Sequence, residues 1–317
     1  MCKLSIVVPV YFDSSALWNC YNDLNKNVFC KISDYELIFV DDGSEDDSFE
    51  VCKQIAVIDK NVKVIKLSRN FGANAACYAG IAASTGDCCT VKSSDCQEPP
   101  SLILDMYESW KSGNRVVLAV RRSRNDGFVN DLFSSMYYRM VRRLINPKMP
   151  KGGFDCFLLD NKVVEALKLF DELNSSIVLQ VLWSGFRTSS VYYNRLPRQT
   201  GRSRWTLGKK LKLVIDALIS FSTAPIRFIQ LIGALFAIGS SIWGIILVVL
   251  NIFGTVEVEG WTSLMVVVLF SSGLILLTLG ILGECTWRIL DSTKKRPVYL
   301  IEDEFCSAHY ESKVKKE

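Results

Sequence analysis

The sequence predicts an α/β protein whose mainly parallel, doubly wound sheet is followed by two membrane-spanning helices. Two observations support this fold class. Within residues 1–204, short runs rich in Val and Ile alternate with segments of helical length, as in parallel sheets that carry helices on both faces. Between residues 227 and 284, two long apolar segments carry no charged side chain.

Five strands and four helices are predicted before residue 121. The strands are expected at Leu4–Val10, Glu36–Val40, Val62–Leu67, Cys88–Val91 and Val116–Val120. The helices are expected at Ser15–Val28, Asp46–Ile58, Ala73–Ser84 and Pro99–Lys111. Because such sheets bind ligands beyond the carboxyl ends of their strands, functional side chains are expected there.

Residues 205–226 are predicted to form an amphipathic helix that lies in the plane of the lipid headgroups. Its apolar side chains share one helical stripe, namely Leu207, Leu211, Val214, Leu218 and Phe221. The lysines gather at one end, on other faces of the helix. A helix packed on the globular domain has the same periodicity, so that alternative stays open.

The two uncharged segments, Phe228–Leu250 and Trp261–Gly283, each exceed the about 20 residues that cross a bilayer core. Two buried core helices are the alternative, although such length without charge is rare in soluble cores. The loop 251–260 contains acids but no Lys or Arg, whereas basic residues flank the pair. The positive-inside rule therefore predicts a multi-pass protein of the cell (inner) membrane with both termini in the cytoplasm.

Residues 285–317 are predicted to be a basic cytoplasmic tail. Its last part, EDEFCSAHYESKVKKE at residues 302–317, is polar and charged and is expected to be disordered.

Composition excludes several functions. The only histidine is His309, so Ser-His-Asp hydrolysis, HExxH zinc chemistry and two-His iron sites are not expected. A net charge of +4, spread along the chain, argues against nucleic acid as the main partner. The 11 cysteines contain no CxxC pair, which is typical of reduced thiols in a domain that faces the cytosol. The chain also lacks a GxxxxGK[ST] phosphate loop.

Polar residues follow the first two strands. Tyr11 offers a ring on which a base could stack, and Asp41 and Asp42 could accept hydrogen bonds from a base N–H or from ribose hydroxyls. The alternative is a Gly turn in which Ser44 or Asp46 caps the next helix.

The fourth strand runs into Lys92-Ser-Ser-Asp-Cys-Gln-Glu-Pro-Pro100. Asp95 and Gln97 could supply oxygen ligands to a Mg²⁺ or Mn²⁺ ion that carries a diphosphate. Alternatively, Asp95 only caps the following helix.

Basic side chains gather in two later loops, at Arg121, Arg122 and Arg124 and at Arg195, Arg198, Arg202 and Arg204. Guanidinium groups suit phosphate oxygens, while the second group could equally be solvated near anionic headgroups. Asp155 lies in an apolar run, so it is expected to be buried and to contact a ligand or an Arg.

Six segments, in order and followed by two spans, carry a resemblance to a known family: IVVPVYFD, FVDDGSED, LSRNFGANAACYAGIAASTGD, SSDCQEPP, GGFDCFLLD and RQTGRSRW. Over residues 3–297 the chain resembles the membrane-anchored family 2 glycosyltransferases of the polyprenyl-phosphate group. This group includes bactoprenol glucosyltransferases and dolichyl-phosphate mannosyltransferases. Processive polysaccharide synthases fit less well, because the Gln-x-x-Arg-Trp spacing is absent and only two spans follow.

The resemblance implies a cytoplasmic GT-A (Rossmann-like) domain at residues 1–204 that depends on Mg²⁺ or Mn²⁺. It implies inverting transfer of a hexose, first glucose from UDP-glucose, to polyprenyl (undecaprenyl) phosphate at the cytoplasmic membrane face. The product would be a lipid-linked sugar for cell-surface glycans. The alternatives are a GDP-mannose-dependent mannosyltransferase and a non-catalytic membrane protein that binds nucleotide sugars. Small residues in both spans would permit a homo-oligomer.

The resemblance also assigns residues. The nucleotide-sugar-binding positions are Pro9, Tyr11, Asp13, Asp41, Asp42 and Ser94. The catalytic positions are Asp95 and Asp155, and the cation ligands are Asp95 and Gln97. The acceptor and phosphate positions are Arg121, Arg124, Ser134, Arg198 and Arg204. The chain departs from the family pattern at Ser93, which replaces the first acid of the Asp-x-Asp pair, and at Asp13, Ala73 and Phe154.

Overall fold

The computed structural model of the chain describes residues 2–122, 128–170, 176–196 and 260–306, together with single positions between 214 and 249. It divides into two units. The first comprises Met1–Val214 and Pro297–Glu317, and the second comprises Ile215–Arg296.

The first unit contains eight described strands and seven described helices. The strands are β1 (Leu4–Val10), β2 (Tyr35–Asp41), β3 (Val62–Leu67), β4 (Cys88–Val91), β5 (Val116–Arg121), β6 (Phe154–Asp160), β7 (Thr188–Tyr193) and β8 (Ile301–Cys306). The helices are α1 (Ser14–Leu24), α2 (Ser48–Ile58), α3 (Ala73–Ala83), α4 (Pro100–Lys111), α5 (Phe128–Leu144), α6 (Asn161–Leu167) and α7 (Ile177–Trp183). Helix α1 continues into a π-helical turn, Asn25–Phe29.

All eight strands form one mixed, mostly parallel sheet in the order β7-β5-β6-β4-β1-β2-β3-β8. Strands β1 to β4 are mutually parallel where they pair, and β5 is parallel to β7. Strand β6 lies antiparallel between β4 and β5, and β8 is antiparallel to β3. The predicted α/β class is confirmed, and so are the five strands and four helices predicted before residue 121.

The central strands are buried because helices cover both faces of the sheet, which is why their sequences are almost continuously apolar. Gly80 shows how closely α3 approaches the sheet. A Cβ at this position would lie 2.2 Å from Cγ1 of Val7 in β1, so only glycine allows this spacing.

Strand β8 corrects one expectation. Residues 302–317 were expected to be disordered, and this is wrong for residues 302–306, which pair with β3. Two ion pairs join the strands, Lys63 to Glu304 at 3.2 Å and Lys66 to Glu302 at 3.1 Å. The strand is polar because it is exposed at the edge of the sheet, and polar sequence was therefore a poor indicator of disorder.

In the second unit, helix α8 (Trp261–Thr293) extends beyond the predicted end of its span at Gly283. Within the described part of the chain, its segment Phe270–Thr293 has the length and hydropathy to cross a membrane. The described positions between residues 227 and 249 are helical. The first span, Phe228–Leu250, stays a prediction, and most of the amphipathic helix predicted at residues 205–226 falls outside the described residues.

Candidate active site

The carboxyl ends of β1, β2 and β4 lie at the same edge of the sheet. Val10 at the end of β1 is in register with Asp41 of β2, and Val7 of β1 is in register with Val91 at the end of β4. The segments that follow these strands therefore converge, as expected for ligand binding in an open α/β sheet.

Asp41 is fully buried at this edge. Its Oδ1 accepts a hydrogen bond from the Ser44 backbone N–H at 3.3 Å. Its Oδ2 is buried and has no hydrogen-bond partner among the described residues. Burial raises the pKa of Asp41, because it disfavours the charged carboxylate. A buried acceptor left open in this way fits a donor on a bound ligand.

Asp42 has different surroundings. Its Oδ1 accepts from the Phe71 N–H at 2.7 Å and its Oδ2 from the Gly72 N–H at 2.9 Å, just before α3 begins. Both carboxylate oxygens thus hold the backbone of the loop after β3. The structure gives Asp42 a structural role, and its predicted contact with a nucleotide stays a prediction.

Gly43 allows these two loops to meet. Its φ is +67°, and a Cβ there would lie 2.5 Å from the carbonyl carbon of Arg69. The Asp-Asp-Gly turn therefore packs directly on the loop after β3, which only glycine permits.

The loop after β1 is fixed by side chains from the other two strand ends. The Phe12 N–H donates to Ser44 Oγ at 3.0 Å, and Ser94 Oγ donates to Asp13 Oδ2 at 2.6 Å. The backbone of Phe12 has a φ of 53°, a conformation that residues other than glycine rarely adopt. The structure thus joins Asp13 and Ser94, two positions predicted to bind the nucleotide sugar.

The two remaining positions of this group lie beside them. Pro9 is within β1, opposite Val40 of β2. Tyr11 is partly buried, and its ring makes an edge-to-face contact with Phe12 at a centroid distance of 4.7 Å.

The loop after β4 holds the predicted cation ligands. Asp95 is 9% exposed, and its Oδ1 accepts from Ser93 Oγ at 2.8 Å and from the Gln97 N–H at 3.3 Å. The Gln97 side-chain oxygen already accepts a hydrogen bond from the guanidinium of Arg195. Among the described residues, no cluster of three His, Cys, Asp or Glu side chains could hold a metal. The buried carboxylate of Asp95 fits a cation that phosphate oxygens and water complete, a common arrangement for Mg²⁺.

Two buried charges beside this loop were not predicted as site residues. Lys92 is 1% exposed, and its Nζ donates to the Glu98 carbonyl at 3.2 Å. Glu98 is 5% exposed, and its Oε2 has no hydrogen-bond partner in the described part of the chain. Burial raises the pKa of Glu98, and the charges of Lys92 and Arg195 oppose that shift. The sequence signal that could have pointed to these residues is a lysine that directly follows the fully apolar strand β4.

On the other side of β4, Arg121 at the end of β5 donates to Asp155 of β6. The expected contact between Asp155 and an Arg is confirmed, but its expected burial is wrong, since the side chain is 46% exposed. The side chains before and after it, Phe154 and Cys156, are buried, whereas Asp155 is the one exposed position of β6. Arg121 is in register with Tyr193 at the end of β7, and burial raises the pKa of Tyr193 to about 12.

The other predicted acceptor residues are less well defined. Ser134 lies on α5 and is partly buried. Arg124, Arg198 and Arg204 fall outside the described residues.

Comparisons of sequence agree with this geometry. Residues 5–168 match the model of glycosyl transferase family 2. The chain is 36% identical over 304 residues to the uncharacterized glycosyltransferase YkcC of Bacillus subtilis (strain 168), covering 96% of this chain and 94% of that protein. It is 33% identical over 301 residues to the bactoprenol glucosyl transferase of Shigella phage SfX, covering 95% and 99%.

A solved structure shares the fold. Glucosyl-3-phosphoglycerate synthase from Mycobacterium tuberculosis, in complex with Mn²⁺, UDP-glucose and phosphoglyceric acid, has a TM-score of 0.52 and 18% identity over 69% of this chain and 79% of that one. At this identity the likeness shows the fold alone. The matched family model and the relatives that span almost the whole chain show that the protein belongs to glycosyl transferase family 2.

Proposed function

We propose that the protein transfers glucose from UDP-glucose to a polyprenyl phosphate, undecaprenyl phosphate in a bacterial membrane, with inversion at the anomeric carbon. The observation that carries the proposal is the pairing of an open, buried acceptor at Asp41 with the buried carboxylate of Asp95, both at the edge where β1, β2 and β4 end. The relatives named bactoprenol glucosyl transferase, which cover 95% of the chain, support the lipid acceptor.

Asp41 would recognise the base. Its Oδ2 can accept a hydrogen bond from the imide N–H of uracil, while Ser44 keeps Oδ1 in place. Tyr11 lies after the neighbouring strand, where its ring could stack on the base. The Ser94 to Asp13 hydrogen bond holds the loop of β1 beside the loop of β4, so that the base and diphosphate subsites stay in register.

The leaving diphosphate needs its charge neutralised. A divalent cation supplies that neutralisation when it is bound, and Asp95 is the side chain that would hold it. Ser93 and the Gln97 backbone orient Asp95 through its Oδ1, so the carboxylate is preorganised.

The acceptor needs little activation, because a lipid phosphate is already an anion near neutral pH. The protein must bring this anion close to the nucleotide sugar, whose diphosphate is also negatively charged. Arg121 lies on the far side of β4, held by Asp155, and its guanidinium suits phosphate oxygens. Direct displacement of the diphosphate by the lipid phosphate would invert the anomeric centre. The apolar helix Phe270–Thr293 supports an acceptor that lies in a membrane.

Transfer can be measured with the full-length protein in detergent. Radiolabelled UDP-glucose, undecaprenyl phosphate and Mg²⁺ or Mn²⁺ should yield a labelled glycolipid, and GDP-mannose in a parallel reaction should yield much less. A labelled product from GDP-mannose alone would overturn the choice of sugar. Binding of nucleotide sugars without any glycolipid would overturn the enzymatic function and favour a non-catalytic sensor.

A further inference from the structure

Arg195, in the loop after β7, contacts the loop after β4, residues 92–99, which contains Asp95 and Gln97. This segment is called the cation loop below. Its Nη2 donates to Oε1 of Gln97. The next residue, Leu196, makes two further bonds to Gln97. Its N–H donates to the Gln97 carbonyl at 2.9 Å, and its carbonyl accepts from Gln97 Nε2 at 3.4 Å. Three hydrogen bonds thus join residues 195–196 to the side chain and the backbone of Gln97 in the cation loop.

These contacts compete with cation binding by Gln97. The side-chain oxygen is the only side-chain atom of Gln97 that can ligate a hard cation, and in this state it faces a guanidinium. A bound divalent ion and a guanidinium repel one another at such short range. Gln97 therefore cannot serve as a cation ligand while Arg195 keeps its position.

Two unpaired atoms show where Arg195 could go. The Arg195 Nε is buried and has no hydrogen-bond partner among the described residues, and the same holds for the adjacent carboxylate atom, Glu98 Oε2. Buried donors and acceptors are normally paired, because leaving them unpaired costs free energy. A movement of Arg195 from Gln97 to Glu98 would pair both atoms and would free the Gln97 oxygen.

We propose that Arg195 is a positioning residue with two partners: it holds Gln97 in the cation-free protein, and it moves to Glu98 when a divalent cation and a nucleoside diphosphate bind. This inference rests on the proposed function for the identity of the donor.

The test measures Mn²⁺ binding to the full-length protein in detergent and in the presence of UDP. The electron paramagnetic resonance signal of free Mn²⁺ reports how much of the ion is not bound. Arg195→Met keeps the side-chain length and removes the guanidinium. Because a hydrogen bond to a charged group no longer has to be broken, this variant should bind Mn²⁺ roughly tenfold more tightly than the wild type. Arg195→Lys keeps the charge without the fork and should lie between the two.

Arg187→Met is the matched control, because Arg187 is exposed and directly precedes β7, at the opposite end of the same strand. It should leave Mn²⁺ affinity unchanged. Thermal unfolding of each variant checks that it is folded. Equal or weaker Mn²⁺ binding by folded Arg195→Met would overturn the proposal, and so would tighter binding by Arg195→Lys than by Arg195→Met.

Glu98→Gln tests the second partner through a double-mutant cycle. In the wild-type background it should weaken Mn²⁺ binding, because the amide oxygen that replaces the carboxylate is an uncharged and weaker acceptor for Arg195. In the Arg195→Met background it should have no effect, and an equal effect in both backgrounds would overturn the role of Glu98. Glucosyl transfer by the wild type is measured separately. Its absence would refute the proposed function without altering the comparison of Mn²⁺ affinities.

Discussion

The substitution Asp41→Asn tests whether the adjacent acids Asp41 and Asp42 have different roles, because their surroundings in the structure differ. Asp41 offers Oδ1 to the Ser44 N–H and leaves Oδ2 open, whereas both oxygens of Asp42 accept backbone N–H groups. An Asn side chain has only one acceptor oxygen. At position 41 its NH₂ group must face either the Ser44 N–H or the N–H of the bound base, and both are donors.

The size of the effect follows from these contacts. A hydrogen bond to a charged acceptor contributes about 1.5–3 kcal/mol, which corresponds to a loss of roughly 10- to 150-fold in UDP affinity for Asp41→Asn. Stability should change little or rise, because the substitution removes a buried charge that has one open oxygen. Asp42→Asn should show the reverse, with UDP affinity near that of the wild type and a loss of about 1–3 kcal/mol of unfolding free energy, since one loop N–H then faces an NH₂ group.

The pH dependence has a definite sign. Burial raises the pKa of Asp41, so the folded protein binds more protons than the unfolded chain between the ordinary carboxyl pKa and the raised one. Wild-type stability should therefore fall as the pH rises through that interval, and Asp41→Asn should lose less. Isothermal calorimetry with UDP and urea unfolding at several pH values measure both quantities. Unchanged UDP affinity in Asp41→Asn, or unchanged stability in Asp42→Asn, would refute the assignment of the two roles.

Three further results are expected. Asp95→Asn should abolish glycolipid formation while its circular dichroism spectrum stays that of the wild type; persistent transfer would show that Asp95 is not the cation ligand. Gly80→Ala should cost about 1–3 kcal/mol in urea unfolding, because the new Cβ would lie 2.2 Å from Val7 Cγ1, and an unchanged midpoint would mean that α3 can shift. A chain that ends at Leu300 should unfold at lower urea concentration, because it lacks β8 and its ion pairs to β3; equal stability would argue against that pairing.

The first five strands along the chain were predictable because strands buried on both faces consist of apolar runs rich in Val and Ile. The later strands are different. Strand β7 (TSSVYY) and strand β8 (IEDEFC) lie at the two edges of the sheet and are partly solvated, so they lack that apolar signal. Strand β6 is apolar, but the acid at its second position obscured it.

The candidate site was predictable at the level of loops and less so at the level of atoms. Strand ends placed Asp41, Asp95 and Ser94 at one edge, as the fold class requires. The sequence could not show that Asp42 holds a loop or that Arg195 binds Gln97, because both facts depend on contacts between residues far apart in the chain. The exposure of Asp155 depends on which elements cover β6, and an isolated apolar run does not define that.

The outermost strand, β8, has a consequence for solubility. Unpaired strand edges invite other chains to add to a sheet, and nature commonly blocks them with charge. Glu302, Asp303 and Glu304 are consecutive and exposed on β8, and the ion pairs to Lys66 and Lys63 offset part of their charge. Two copies that approached edge to edge would still bring two acidic strands together. The acidic strand that completes the sheet thus also protects it against intermolecular β-aggregation.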